Sequence, residues 1–121
     1  MARVVALVPD LLFGSQVKGA LTAAGHEVEL VSDGGRTRER LADAPAVLVV
    51  DLVDEDLDGA ALVESLAAEG VLGQTRTLGF YSHVDARARE RAEQAGLDLV
   101  VPRSRMAREG AALVTRLAGD P

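Results

Sequence analysis

The chain has 121 residues, a net charge of −6, no cysteine, and an apolar fraction of 48% to which aromatic residues contribute only 2%. That length is one ordinary domain, able to bury roughly two-thirds of its unfolded surface. The acidity opposes non-specific attraction to nucleic acid or anionic membranes, the scarcity of aromatics leaves little for a base-stacking platform, and the missing cysteine excludes disulfides, thiolate nucleophiles and zinc-thiolate sites.

In chain order, short β-branched runs alternate with longer Ala/Leu/Arg/Glu stretches, the pattern of successive βα units. Arg3–Val8 reads as a first strand whose nearly continuous apolar character suits a strand covered on both faces. A helix is expected over Leu11–Ala24, with Leu12, Val17, Leu21 and Ala24 inward and Gly25 ending it. Glu27–Val31 is a shorter, alternating strand suited to a sheet edge, followed by a Ser32-Asp33-Gly34-Gly35 loop and a short charged helix over Arg36–Ala42. The strongest strand signal is Ala46–Asp51, five aliphatic residues closed by a carboxylate.

The next helix is expected over Gly59–Ala68, with Leu62, Leu66 and Ala67 inward and Gly70 and Gly73 ending the unit. Arg76–Phe80 is a fourth strand, and Asp85 is placed to cap Ala86–Ala95, whose exposed side carries Arg87, Glu90, Arg91 and Glu93. Gly96 stops that helix, Leu99–Val101 is a brief fifth strand, and Ala107–Leu117 is the last helix, with Ala111, Leu113, Val114 and Leu117 available for packing. Alternating units with short connections imply one domain over 1–121, a doubly wound, five-stranded parallel α/β sheet with five helices. The N-terminus has no secretory pattern and no apolar run approaches roughly 20 residues, so a soluble cytoplasmic protein is expected, with neither nucleic acid nor membrane as partner.

In an open α/β sheet, ligands bind in the crevice outside the carboxyl ends of the strands, which is where Asp51 stands. Asp51 therefore reads as a site residue or as a carboxylate that caps the loop after it. Asp10 reads as the N-cap of the helix from Leu11 or as a second acid of the same site. Asp54, Glu55, Asp56 and Asp58 lack the spacing of a calcium loop and read as solvated. His83 stands alone in the loop after the fourth strand, more an ordinary loop histidine than a proton shuttle.

Asp51 with Asp58-Gly59, then Gln94-Ala95-Gly96 before the fifth strand and the basic Arg103 after it, make the sequence resemble the receiver domains of bacterial response regulators. The resemblance covers nearly the whole chain. It implies a flavodoxin-like, chemotaxis-regulator-like sheet of strand order 2-1-3-4-5, with Asp51 at the phosphoacceptor position and Arg103 at that of the lysine that contacts the phosphoryl group. Four features depart from the pattern, Arg103 in place of the lysine being one of them. Val8 and Pro9 stand where an acidic pair is expected, leaving Asp10 one position late. Tyr81 takes the switch-hydroxyl position with Ser82 next to it, and Ser104 replaces the usual proline.

What the resemblance implies is an atypical or pseudo-receiver: a stand-alone signalling domain working through protein contact, with phosphorylation at Asp51 weak or absent. It is not an enzyme beyond self-phosphorylation, and it has no cofactor or only a weakly bound magnesium ion on Asp10 and Asp51. A chain ending at Pro121 leaves no room for an effector domain, so output is expected through a protein partner or a homodimer contact in the Ala86–Leu117 region. An Asp51–Arg103 ion pair filling the pocket is one form this takes. The rivals are a functional receiver phosphorylated on Asp51 and, third, a small-ligand-binding domain of flavodoxin type, for which a Ser/Thr-rich phosphate loop is missing.

Overall fold

The computed structural model describes residues 2–82 and 84–119. His83 lies outside the described residues. The elements alternate as β1 (Arg3–Leu7), α1 (Leu11–Ala23), β2 (Glu27–Val31), α2 (Gly34–Leu41), β3 (Val47–Asp51), α3 (Gly59–Glu69), β4 (Arg76–Tyr81), α4 (Ala86–Gln94), β5 (Leu99–Pro102) and α5 (Arg103–Gly119). All strand pairs are parallel, in the order β2-β1-β3-β4-β5. The central strand β3 is buried along its whole length, whereas β2, at the edge, is mostly half-exposed.

The period-two alternation of the strands feeds two separate cores. Val4, Ala6, Val8, Val47, Val49, Leu78, Phe80 and Val101 face α1 and α5 and pack against Phe13, Val17, Leu21, Met106, Leu113 and Val114. Val5, Leu7, Val31, Leu48 and Val50 face the other layer and meet Leu41 of α2, Ala60, Val63 and Leu66 of α3, and Ala92 of α4. Each fully buried Val or Leu contributes about 1.5–3 kcal/mol of transfer free energy. The two layers therefore hold the strand ends, and whatever stands on them, rigidly in place.

Several helix expectations need correction. Leu12 and Ala24 were expected inward, but Leu12 is 73% exposed and Ala24 is exposed too; Phe13, Gly14, Val17 and Leu21 form the buried stripe of α1. In α3 Ala67 faces water and Val63 takes the inward position. Gly34 and Gly35, expected in a loop, are the first turn of α2, because the Asp33 side chain accepts from Arg36 N at 2.8 Å and caps a turn that two glycines alone would not favour. The largest shift is at α5, which begins at Arg103 rather than Ala107, its first turn anchored by Met106 at 2% exposure.

No helix among the described residues is long and apolar enough to cross a membrane. The glycines expected to stop helices do so: Gly25, Gly70 and Gly96 take φ of +96°, +74° and +93°, backbone that L side chains rarely adopt.

Candidate functional site

Asp51 ends β3 opposite Phe80 of β4 and is 3% exposed, the one carboxylate among the buried described residues. Its Oδ1 accepts from the backbone N–H of Val53 at 2.7 Å and of Asp54 at 3.1 Å, so the side chain folds the loop after β3 into a turn around itself. Burial pushes the Asp51 carboxyl above its ordinary value. The Val53 and Asp54 amides and, more weakly, the positive charge of Arg103 pull the other way without cancelling it.

Asp10 caps α1: its Oδ1 accepts from Phe13 N at 3.0 Å. Its Oδ2 meets Arg103 Nη2 at 3.4 Å, in a pair whose side chains are 46% and 42% exposed. Exposed pairs of this kind contribute at most about 1 kcal/mol. Arg103 is oriented more by stacking, its Cζ standing 4.2 Å from the centroid of the Phe13 ring. Phe13 in turn packs on Phe80 with centroids 5.0 Å apart. The expected filling of the pocket by an Asp51–Arg103 pair is not what the structure shows: the guanidinium turns to Asp10 and Phe13.

Above these residues lies a cleft of about 410 Å³ lined by Phe13, Val53, Ser82, Arg103, Ser104 and Ala107, mostly apolar in character. Asp51 is not part of its wall. Tyr81, expected at the switch-hydroxyl position, ends β4 opposite Pro102 and is buried at 7%, while Ser82 reaches the cleft. On the other side of the loop after β3, Asp58 caps α3 by accepting from Ala61 N at 3.1 Å and pairs with Arg91 of α4 at 3.1 Å. The Ala61 amide first, then Arg91, holds the Asp58 carboxyl below its usual range.

The donor set fits a resident magnesium ion poorly. Val8 and Pro9 offer no side-chain oxygen, and Val8 is buried at 3%. Asp10 and Asp51, read as a weak magnesium set, are engaged elsewhere, Asp10 through both oxygens and Asp51 through Oδ1. Magnesium takes one or two free carboxylates in near-octahedral geometry. Among the described residues no group of three or more histidines or acids is placed to hold a metal.

Phe13, Val53 and Ala107 were not singled out as site residues in the sequence, yet they form the apolar wall of the cleft. A signal existed: the chain has two Phe and one Tyr. Phe13, Phe80 and Tyr81 all stand at this end of the sheet.

No protein-family model matches the sequence, and no curated protein matches it. Solved structures do. The signal receiver domain of the response regulator designated NarL from Mycobacterium tuberculosis is 25% identical, superposes with a TM-score of 0.80, and is matched over 97% of this chain and 95% of that one. The receiver domain of Francisella response regulator 1452 is 18% identical, with a TM-score of 0.81 over 98% and 97% of the two chains. The receiver domain of the sensor histidine kinase PA1611 from Pseudomonas aeruginosa, which holds a magnesium ion in its active-site cleft, is 17% identical, with a TM-score of 0.84 over 98% of each chain. With its 2-1-3-4-5 parallel sheet, its five helices and this likeness over nearly its whole length, the protein has the fold of the response-regulator receiver domains.

Proposed function

We propose that the chain is a signalling domain of receiver fold that acts through contact with another protein, and in which magnesium-dependent phosphorylation of Asp51 is weak or absent. The observation that carries this reading is the state of Asp51 itself: 3% exposed, absent from the cleft wall, with Oδ1 committed to two backbone amides. A carboxylate that attacks a phosphoryl donor needs an accessible, ionised oxygen and cations around the charge that gathers on the transferring group. Here burial disfavours the ionised form. The cation whose charge acts on Asp51, Arg103, stands over Phe13 and is paired with Asp10.

A second protein, including a second copy of this chain, would meet the Ala86–Leu117 region, where Arg87, Arg89 and Arg91 of α4 are exposed beside β5 and α5. The experiment that tests the phosphorylation reading is intact-mass spectrometry after incubation with acetyl phosphate and magnesium. The expected result is no adduct, or a small fraction. A strong phosphoryl adduct in the parent that disappears in Asp51→Asn overturns it and makes the chain a phosphorylated receiver.

A further inference from the structure

We propose that the cleft at the carboxyl end of the sheet binds a small amphipathic carboxylate, a molecule with an apolar body and one terminal carboxylate. Its volume of about 410 Å³ lies within the roughly 300–1,000 Å³ of small-molecule sites. Its chemistry is divided. Phe13, Val53 and Ala107 offer an apolar wall, and Arg103, Ser82 and Ser104 bring a guanidinium and two hydroxyls to the same space. That combination suits a ligand that is apolar over most of its surface and anionic at one point.

The guanidinium is set for the anionic end. Its Cζ stands over the Phe13 ring at 4.2 Å, and the ring itself packs on Phe80. A guanidinium carries five N–H donors in a fixed fork that matches a carboxylate bidentately. Among the described residues Arg103 makes one side-chain hydrogen bond, the 3.4 Å contact with Asp10. That bond is long and solvent-screened, so an incoming carboxylate exchanges for it at little cost.

Among the described lining residues none is acidic, and the one carboxylate in contact with Arg103 is the exposed Asp10. Asp51, the nearest buried acid, lies outside the lining with Oδ1 held by the Val53 and Asp54 amides, and the first turn of α5 carries no acidic residue. The apolar character also extends past the cleft: Leu11 and Leu12, in the same helical turn as Phe13, are 83% and 73% exposed. This site stands independently of whether Asp51 is phosphorylated.

The test is a ¹H–¹⁵N NMR titration of the whole chain with sodium octanoate, beside sodium acetate, which has the charge without the body, and 1-octanol, which has the body without the charge. Octanoate is expected to shift the amide signals of Val53, Ser82, Ser104 and Ala107 saturably, and acetate and octanol to bind at least about tenfold more weakly. Asp10→Asn keeps the helix cap but removes the competing charge, so it should tighten octanoate severalfold. Arg103→Met should erase the preference for octanoate over octanol. No saturable shift at these residues, equal binding of octanol, equal binding of acetate, or an unchanged affinity in Asp10→Asn each overturns the proposal. If Arg103→Met fails to fold, the Asp10→Asn comparison still decides.

Discussion

The guanidinium of Arg103 stands over the ring of Phe13, its Cζ 4.2 Å from the centroid, and the same side chain pairs with Asp10. Asp51 is left buried with only backbone amides for hydrogen-bond partners among the described residues, and Arg103 acts on it through its charge alone.

Asp51 should make stability depend on pH in the sense opposite to most carboxylates. Its folded value is raised by burial, so the folded state holds the proton more tightly than the unfolded state does. The stabilisation is therefore complete below the ordinary carboxylate value of 3.8 and is lost as pH rises through the raised folded value. Asp51→Asn keeps an oxygen for the Val53 and Asp54 amides and removes the ionisation. Thermal unfolding should show a higher melting temperature for the variant at neutral pH, with the gap closing in acid. A lower melting temperature at neutral pH would contradict the burial of this charge.

Gly59 should tolerate no side chain. A Cβ there would stand 2.8 Å from Val50 Cγ1 and 2.9 Å from the carbonyl oxygen of Asp51, so the backbone carrying Asp51 would have to move. Gly59→Ala is expected to cost about 1–3 kcal/mol, as overpacked cores do. Urea unfolding measures it, and an unchanged midpoint would show that α3 simply slides outward.

Asp58 acts mainly as a cap and secondarily as a partner of Arg91. Asp58→Ala should cost about 1 kcal/mol, the usual loss of an N-cap, while Asp58→Asn, which can still cap, should cost less. Because the Asp58 carboxyl is held below its usual range, its contribution is present above the ordinary value and fades as pH falls through the lowered one. The difference between the Ala variant and the parent should therefore shrink in acid.

His26 ties the start of the sheet to the last helix. It is 6% exposed, accepts on Nδ1 from Ala2 N at 3.2 Å, and in that tautomer donates from Nε2 to Thr115 Oγ1 at 2.9 Å. Thr115→Val leaves the Nε2 proton without its acceptor and should cost about 1 kcal/mol in chemical denaturation. Thr115→Ser, which keeps the hydroxyl, should recover most of the loss.

The architecture was legible because its signals are local. Continuous aliphatic runs announced the buried strands, the alternating Glu27–Val31 announced an edge, and the left-handed glycines marked where helices stop. Where two local signals conflicted, the reading failed. Gly34-Gly35 has poor helix propensity, but the Asp33 cap outweighs it. Arg103-Ser104-Arg105 carries no apolar periodicity, and α5 starts there because Met106 is buried one turn in, a fact of packing against another layer. Leu12 satisfied a helical spacing that Phe13 satisfies better, and only the position of Phe80 chooses between them.

By itself the sequence determined the alternation of strands and helices, the single parallel sheet they imply, and the placing of Asp51 at the mouth of its central strand, since each depends on residues within a few positions of one another. The tertiary structure alone decided what surrounds Asp51. Arg103 and Asp10 are 93 residues apart in sequence, and which carboxylate the guanidinium meets follows from the direction α5 leaves β5 and from the aromatic ring α1 presents to it. Side-chain partnership across two packed layers is a property of their relative position, which no local pattern encodes.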